Sequence, residues 1–138
     1  MAKQLSETPS LDELNAYFGE DKFARHSGCV IVEGTVDHAV VELEIGPHHR
    51  NALGNVMGGA VFTLADFALA IASNVGQHPT VTVSSTIEYL SASRGTKLTA
   101  VCEADKSGRR LGFYTTQITD DTGRAIARVT TTVFRESE

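Results

Sequence analysis

The chain has 138 residues and a formal net charge of -5, enough length for one domain around a single core. An acidic balance without clustered Lys and Arg argues against a nucleic-acid partner, and the opening stretch MAKQLSETPS lacks the apolar h-region of a secretory signal; a cytoplasmic protein is expected. Cys29 and Cys102 stand far apart in strand-like runs with no zinc-type Cys/His spacing, so small buried thiols are expected rather than a disulfide, and no metal or cofactor.

From Ser10, the positions Leu11, Leu14 and Phe18 fit a short amphipathic helix over about 10–18. Ser10 would be its N-cap, Glu13 its capping-box partner, and Gly19 its end. Residues 21–26 read as a connector with Phe23 packed inward. The run 28–36 is strand-like, and 38–45 alternates with Val41, Leu43 and Ile45 on one face; Gly34, within the first run, marks a turn or a bulge. Residues 46–55, with Pro47 and Gly54, form a loop. His48 and His49 could in principle bind a metal or move a proton. Adjacent side chains in such backbone point apart, however, and no carboxylate or Cys stands near, so a solvated-loop role is expected for at least one of them. Asn51 suits an Asx-type turn.

The stretch Asn51–Asn74, NALGNVMGGAVFTLADFALAIASN, is the centre of the chain. Ala60, Val61, Leu64, Ala65, Ala68, Ile71 and Ala72 recur at helical spacing, and Phe62, Phe67, Leu69 and Ala70 fill most of the opposite face, which predicts a buried helix. Gly58, Gly59, Thr63, Asp66, Ser73 and Asn74 interrupt it too often for a membrane span. Gly58 and Gly59 stand where the helix begins, and there they would let another group approach first-turn N–H donors that have no helical partner. Such donors bind an anion or a developing oxyanion. Asp66 is the only ionisable residue in the stretch, and a carboxylate on an otherwise buried helix is costly unless bonded or functional. It follows Gly59 by seven residues, about two turns at roughly 3.6 residues per turn, which places both on nearly the same face.

These residues resemble the hot-dog-fold acyl-CoA thioesterases of the phenylacetate-degradation (PaaI-like) type. That family's pattern is an Asn, a Gly three residues on, then His-Gly-Gly, then an acid in the middle of a long apolar helix; here it is Asn51, Gly54, Met57-Gly58-Gly59 and Leu64-Ala65-Asp66. Met57 stands where the family most often has His. The resemblance runs from about Phe23 to Phe134. It implies that Asn51 orients the water or thioester, that Gly59 donates its N–H to the acyl carbonyl and that Asp66 is base or nucleophile; Met57, Gly58 and Phe62, beside them, are candidate substrate contacts.

Beyond Gly76 and Pro79, residues 80–91 are rich in Thr, Val, Ile and Tyr, a long strand with Thr82, Ser84, Thr86 and Glu88 on one face and Val83, Ser85, Ile87 and Tyr89 on the other. The resemblance makes Thr82 a hydroxyl that can hold the attacking water. Strands follow at 95–106, 111–119 and 124–134, joined by turns at Ser107-Gly108 and Asp121-Thr122-Gly123, and a charged tail is expected to fray. The basic hairpin Lys106-Ser107-Gly108-Arg109-Arg110 could offer cations and backbone N–H groups to CoA phosphates; a merely solvated hairpin is the plainer reading.

Two strands, a long helix and four more strands imply an α+β fold, an antiparallel sheet wrapped around one helix; the resemblance makes it a hot-dog domain spanning 1–138. An exposed sheet edge predicts pairing of two copies into a continuous sheet. The family implies such homodimers, often paired again into homotetramers, with the glycine-headed helix of one subunit and the acid of the other converging on the thioester. The expected activity is hydrolysis of an acyl-CoA thioester to free acid and CoA. No Gly-x-Ser-x-Gly is present and neither cysteine has a partner motif, so Ser or Cys nucleophiles are unsupported. A non-catalytic acyl-CoA-binding or regulatory protein is the alternative. A lyase or dehydratase is less favoured, because that chemistry usually brings a His with the acid. Phe62, Phe67 and Tyr89 suit either an acyl pocket or the core.

Overall fold

Alternating apolar and polar residues fold six segments into strands: β1 (Cys29–Thr35), β2 (His38–Glu44), β3 (Thr80–Tyr89), β4 (Lys97–Ser107), β5 (Leu111–Asp120) and β6 (Ala125–Arg135). They are seen in a computed structural model that describes residues 3–136. The strands make one antiparallel sheet in the order β1-β2-β4-β5-β6-β3, and the crossover through the central helix carries β3 to the far edge beside β6. That helix, α3 (Gly58–Asn74), packs against one face of the sheet, as a hot-dog fold requires. Val61, Leu64, Ala65, Ala68, Ile71 and Ala72 are buried in the core with Val41, Leu43, Leu98 and Ile118. Leu64 and Ile71 are both 0% exposed, each contributing about 2 kcal/mol through its buried apolar surface.

Helix α1 (Leu11–Phe18) begins with the expected capping box: the Ser10 hydroxyl accepts from Glu13 N at 3.1 Å, and Ser10 N donates to Glu13 Oε1 at 3.0 Å. Residues 21–26 are not a connector. They belong to a second short helix, α2 (Lys22–Ser27), closed by Gly28 in the left-handed region at φ 97°. Nor does Phe23 pack inward; it is 76% exposed. Gly34 makes neither turn nor bulge. It lies within β1, where an added Cβ would stand 2.5 Å from Ile71 Cγ2, so the missing side chain admits α3; the β1 irregularity falls between Ile31 and Glu33 instead.

Another irregularity, between Thr82 and Ser84, corrects the expected faces of β3. Thr82 pairs with buried Val133, while Ser85 and Ile87 pair with buried Thr131 and Val129. Directly opposed residues share a face, so Thr82 lies on the helix side with Ser85, Ile87 and Tyr89, not with Ser84, Thr86 and Glu88. One extra residue at a bulge reverses the alternation.

The charged end of the chain is anchored through Arg135, which closes β6 with 4% exposure, to Glu136, whose N–H donates to Pro79 O at 2.9 Å. The Arg135 guanidinium donates to Ser73 O, Thr80 Oγ1, Ser107 Oγ, Tyr114 Oη and Gly108 O. The remaining tail, Ser137 and Glu138, lies outside the described residues.

Asp120 fixes the loop between β3 and β4. Its carboxylate accepts from Ser93 Oγ, the N–H groups of Arg94, Gly95, Thr122 and Arg124, and Thr122 Oγ1. Those bonds, led by Thr122, hold the carboxyl well below the ordinary range. A depressed folded-state value gives stability that is present above the unfolded value of about 4 and fades as the pH falls through the folded one. Asp120→Asn is therefore expected to lower the melting temperature at neutral pH, with the gap to wild type narrowing under acid; parallel melting curves across pH would contradict this.

Candidate active site

Glycine at the start of α3 leaves its first N–H groups uncovered. Met57 is the N-cap residue but its side chain makes no capping bond, and it is 58% exposed. Helical bonding begins with Ala60 N and Val61 N, which both reach Met57 O at 3.0 and 3.3 Å, so the N–H groups of Gly58 and Gly59 precede the ladder. The two glycines differ. A Cβ on Gly58 would meet Tyr89 Oη at 2.9 Å, and that hydroxyl donates to Gly58 O; a Cβ on Gly59 would meet nothing within 4 Å. Gly58 admits Tyr89, and Gly59 faces open space. Tyr89, Gly58, Asn55, Val56 and Ser93 line a cavity of about 410 Å³ at this helix head, its far wall being the loop that Asp120 fixes.

The loop before α3 is ordered by Asn51 in the Asx-type arrangement. Its Oδ1 accepts from Leu53 N at 3.0 Å and Asn55 N at 3.1 Å, leaving the Nδ2 amide as the end that could meet a substrate. His49 is an anchor: buried, its Nδ1 accepts from Gly46 N and its Nε2 donates to Ser27 O. His48 is exposed beside it, ring centroids 3.9 Å apart. No group of metal-binding residues occurs among the described residues.

Asp66 does not sit on a wholly covered helix. Gly59, Phe62, Thr63, Asp66 and Ala70 form a stripe open to solvent in the single chain. Asp66 opens into a cleft of about 450 Å³ walled by Phe62, Thr63 and Phe67 of α3 and by Asp21, Phe23 and Ala24 around α2. Desolvation by these walls, with the Asp21 charge adding to it, pushes the Asp66 carboxyl above its ordinary range. It is exposed to solvent, and among the described residues no hydrogen bond or ion pair engages it: the Thr63 hydroxyl donates to Gly59 O at 2.8 Å, and Lys22 Nζ pairs with Glu20 at 2.8 Å. The sequence reading singled out Asp66, Phe62 and Phe67, which the structure places on one cleft, but missed α2. The available signal was Asp21 before, and Gly28 after, a segment too short to show periodicity.

The structure separates the remaining candidates. Thr82 lies exposed on the edge strand β3, on the helix side. Lys106, Gly108, Arg109 and Arg110 lie at the other end of α3, since Arg135 joins Gly108 O and Ser107 to Ser73 near the helix C-terminus. Gly108 N–H is not available to a phosphate, because the hairpin uses it to bond Leu111 O at 2.8 Å. Arg110 lies over the Phe134 ring, 5.9 Å from its centroid. Within one chain this hairpin does not join the helix head. The thiols are also set aside: burial pushes Cys29 up to about 11 and Cys102 up to about 12, and both are free and buried, far from the thiolate that nucleophilic chemistry needs.

Comparison with known proteins identifies the family. The family model described as "Thioesterase superfamily" matches residues 53–127, more than half of the chain and all of α3. A protein of Archaeoglobus fulgidus provisionally described as an esterase is 30% identical over 88% of this chain and 79% of its own. The acyl-coenzyme A thioesterase PaaI of Escherichia coli is 28% identical over 82% of this chain and 81% of its own, and its solved structure superposes with a TM-score of 0.85 at 25% identity, covering 91% and 92% of the two chains. A thioesterase-type protein of Streptococcus pneumoniae, solved with coenzyme A, has a TM-score of 0.80 at 26% identity over 88% and 98%. On the match across its central helix and on these relatives, the chain belongs to the thioesterase superfamily, as a PaaI-like hot-dog member.

Proposed function

We propose that the protein hydrolyses an acyl-CoA thioester to a free acid and CoA, with the acyl carbonyl at the head of α3 and Asp66 as general base on water or as nucleophile. The observation that carries this is the pairing, on one stripe of α3, of Gly59, whose N–H precedes the helical ladder and whose Cβ side is open, with a carboxylate that no described hydrogen bond or ion pair satisfies. The N–H supplies what a developing oxyanion needs, and the carboxylate accepts the proton or attacks the carbonyl carbon. Seven residues of helix span about 10 Å of axial rise, beyond direct attack by Asp66 on a carbonyl held at Gly59 of the same chain. A second copy resolves this. Edge strand β3 exposes Val81, Val83 and Tyr89, and pairing two such edges in a homodimer would bring the helix head of one copy to the Asp66 cleft of the other, with Thr82 on the inner side of the seam. Dimers could pair again into a tetramer. Asn51 would orient water or thioester through Nδ2, and Met57, Gly58 and Phe62 would contact substrate. Lys106, Arg109 and Arg110 could meet CoA phosphates only across such an assembly.

The test is CoA release from short, medium, long and aryl acyl-CoAs. Turnover supports a thioesterase and identifies its acyl class; saturable binding with no release would favour a binding protein. Gly59→Ala sharpens the oxyanion assignment. Its added methyl has room in the free chain and favours helix, so the melting temperature is expected to hold or rise slightly. The same methyl would obstruct the carbonyl, and kcat/KM is expected to fall by about a hundredfold. Wild-type turnover in this variant would remove Gly59 from the site.

A further inference from the structure

We propose that Asp21, at the start of α2, is a positioning residue for Asp66: its negative charge across the shared cleft sets the pH at which turnover begins. This rests on the role of Asp66 proposed above. Asp21 occupies the N-cap position of α2, yet its side chain makes no capping bond, so its own helix does not hold the carboxylate. It lines the same cleft as Asp66, and the other walls are Phe23, Ala24, Phe62, Phe67 and Ala70, with Thr63. Both carboxylates are exposed in the single chain, so their repulsion acts across a cleft that water enters and is moderated by it. Thr63 donates to backbone, and Lys22, the one cation in the lining, pairs with Glu20 at 2.8 Å with both side chains mostly exposed.

The remaining titratable and charged neighbours do not neutralise the pair. Arg25 and His26 of α2 line a separate hollow with Gly19 and Lys22. Burial raises the phenol of Tyr17 in α1, and the Asp21 charge adds to it. Helix α3 has no other ionisable residue between Gly58 and Asn74. Like charge disfavours the anion, so Asp66 loses its proton at higher pH when Asp21 is ionised. The direction found for Asp66, raised by desolvation and then by Asp21, agrees.

The experiment is the pH profile of kcat/KM for CoA release by full-length wild type, Asp21→Asn, Asp21→Glu and Asp66→Asn. Removing the Asp21 charge is expected to move the acid limb down by about half a unit to one unit. On the limb, Asp21→Asn would then retain three to ten times more of its plateau activity than wild type, a ratio that follows from that shift. Asp21→Glu keeps the charge and should keep the wild-type limb. Asp21→Ser, neutral and a good N-cap, gives the same test should the Asn variant fold poorly. An unmoved limb in the neutral variants, with Asp66→Asn inactive, would overturn the role of Asp21 alone; so would an equal shift in Asp21→Glu. An Asp66→Asn enzyme as fast as wild type would instead remove the reading on which this rests.

Discussion

Asp66→Asn is expected to reduce CoA release at least about a hundredfold, with the fold and oligomeric state unchanged. Asn matches the size of Asp but neither accepts a proton nor attacks a carbonyl, and loss of a general base or nucleophile typically costs 10² or more. The fold should not suffer, because no described hydrogen bond or ion pair in the chain depends on the Asp66 carboxylate. Removing a partly desolvated charge from between Phe62 and Phe67 could only ease its burial. Circular dichroism and sedimentation beside the assay check both halves. Single turnover in ¹⁸O-water then separates the routes: attack by the carboxylate forms an anhydride with release of the CoA thiolate, and its hydrolysis can leave ¹⁸O on Asp66, whereas general-base catalysis puts label only in the product acid. Turnover near wild type would exclude both roles.

Arg135→Ala is expected to be the most destabilising single change, by about 3–5 kcal/mol, the usual cost of removing one member of a buried charged network. Five acceptors on four segments converge on this guanidinium: Ser73 O at the end of α3, Thr80 Oγ1 on β3, Gly108 O and Ser107 Oγ at the β4–β5 hairpin, and Tyr114 Oη on β5. Asp37 stands 3.7 Å from it and also accepts from Gln77 and Tyr114. Alanine would leave all of these short of a donor and uncouple the helix C-terminus from the hairpin. Arg135→Lys should recover only part, since one ammonium cannot reach donors spread over a planar fork. Urea denaturation at fixed protein concentration measures the effect, and a loss below about 1 kcal/mol would mean that the cluster is incidental.

Much of the fold was legible because its elements declare themselves locally. The capping box of α1 lies in Ser10 and Glu13, the helical spacing of α3 in its apolar residues, and the strands in their alternation. What stayed hidden depended on contacts distant in sequence. Helix α2 is six residues long, too short for a period, and is recognised only by docking against α3. Gly34 looked like a break because a strand glycine usually is one; its reason is Ile71, which lies 2.5 Å from where its Cβ would be. The face of Thr82 was misassigned because the bulge at Val83 is a property of the pairing with β6, not of β3 alone.

The sequence by itself determined the long glycine-headed helix with one carboxylate two turns along and the strands that follow it, since each rests on spacing within a short segment, and its motif resembled that of the thioesterase family to which the chain belongs. Only the tertiary structure decided which candidates share a cavity. It placed Tyr89 over Gly58, set Asp21 and α2 opposite Asp66, bound the Gly108 N–H within its hairpin and sent the basic residues to the far end of α3. Side chains become neighbours through sheet order, crossover and register, and these are fixed by packing the whole chain rather than by any stretch of it.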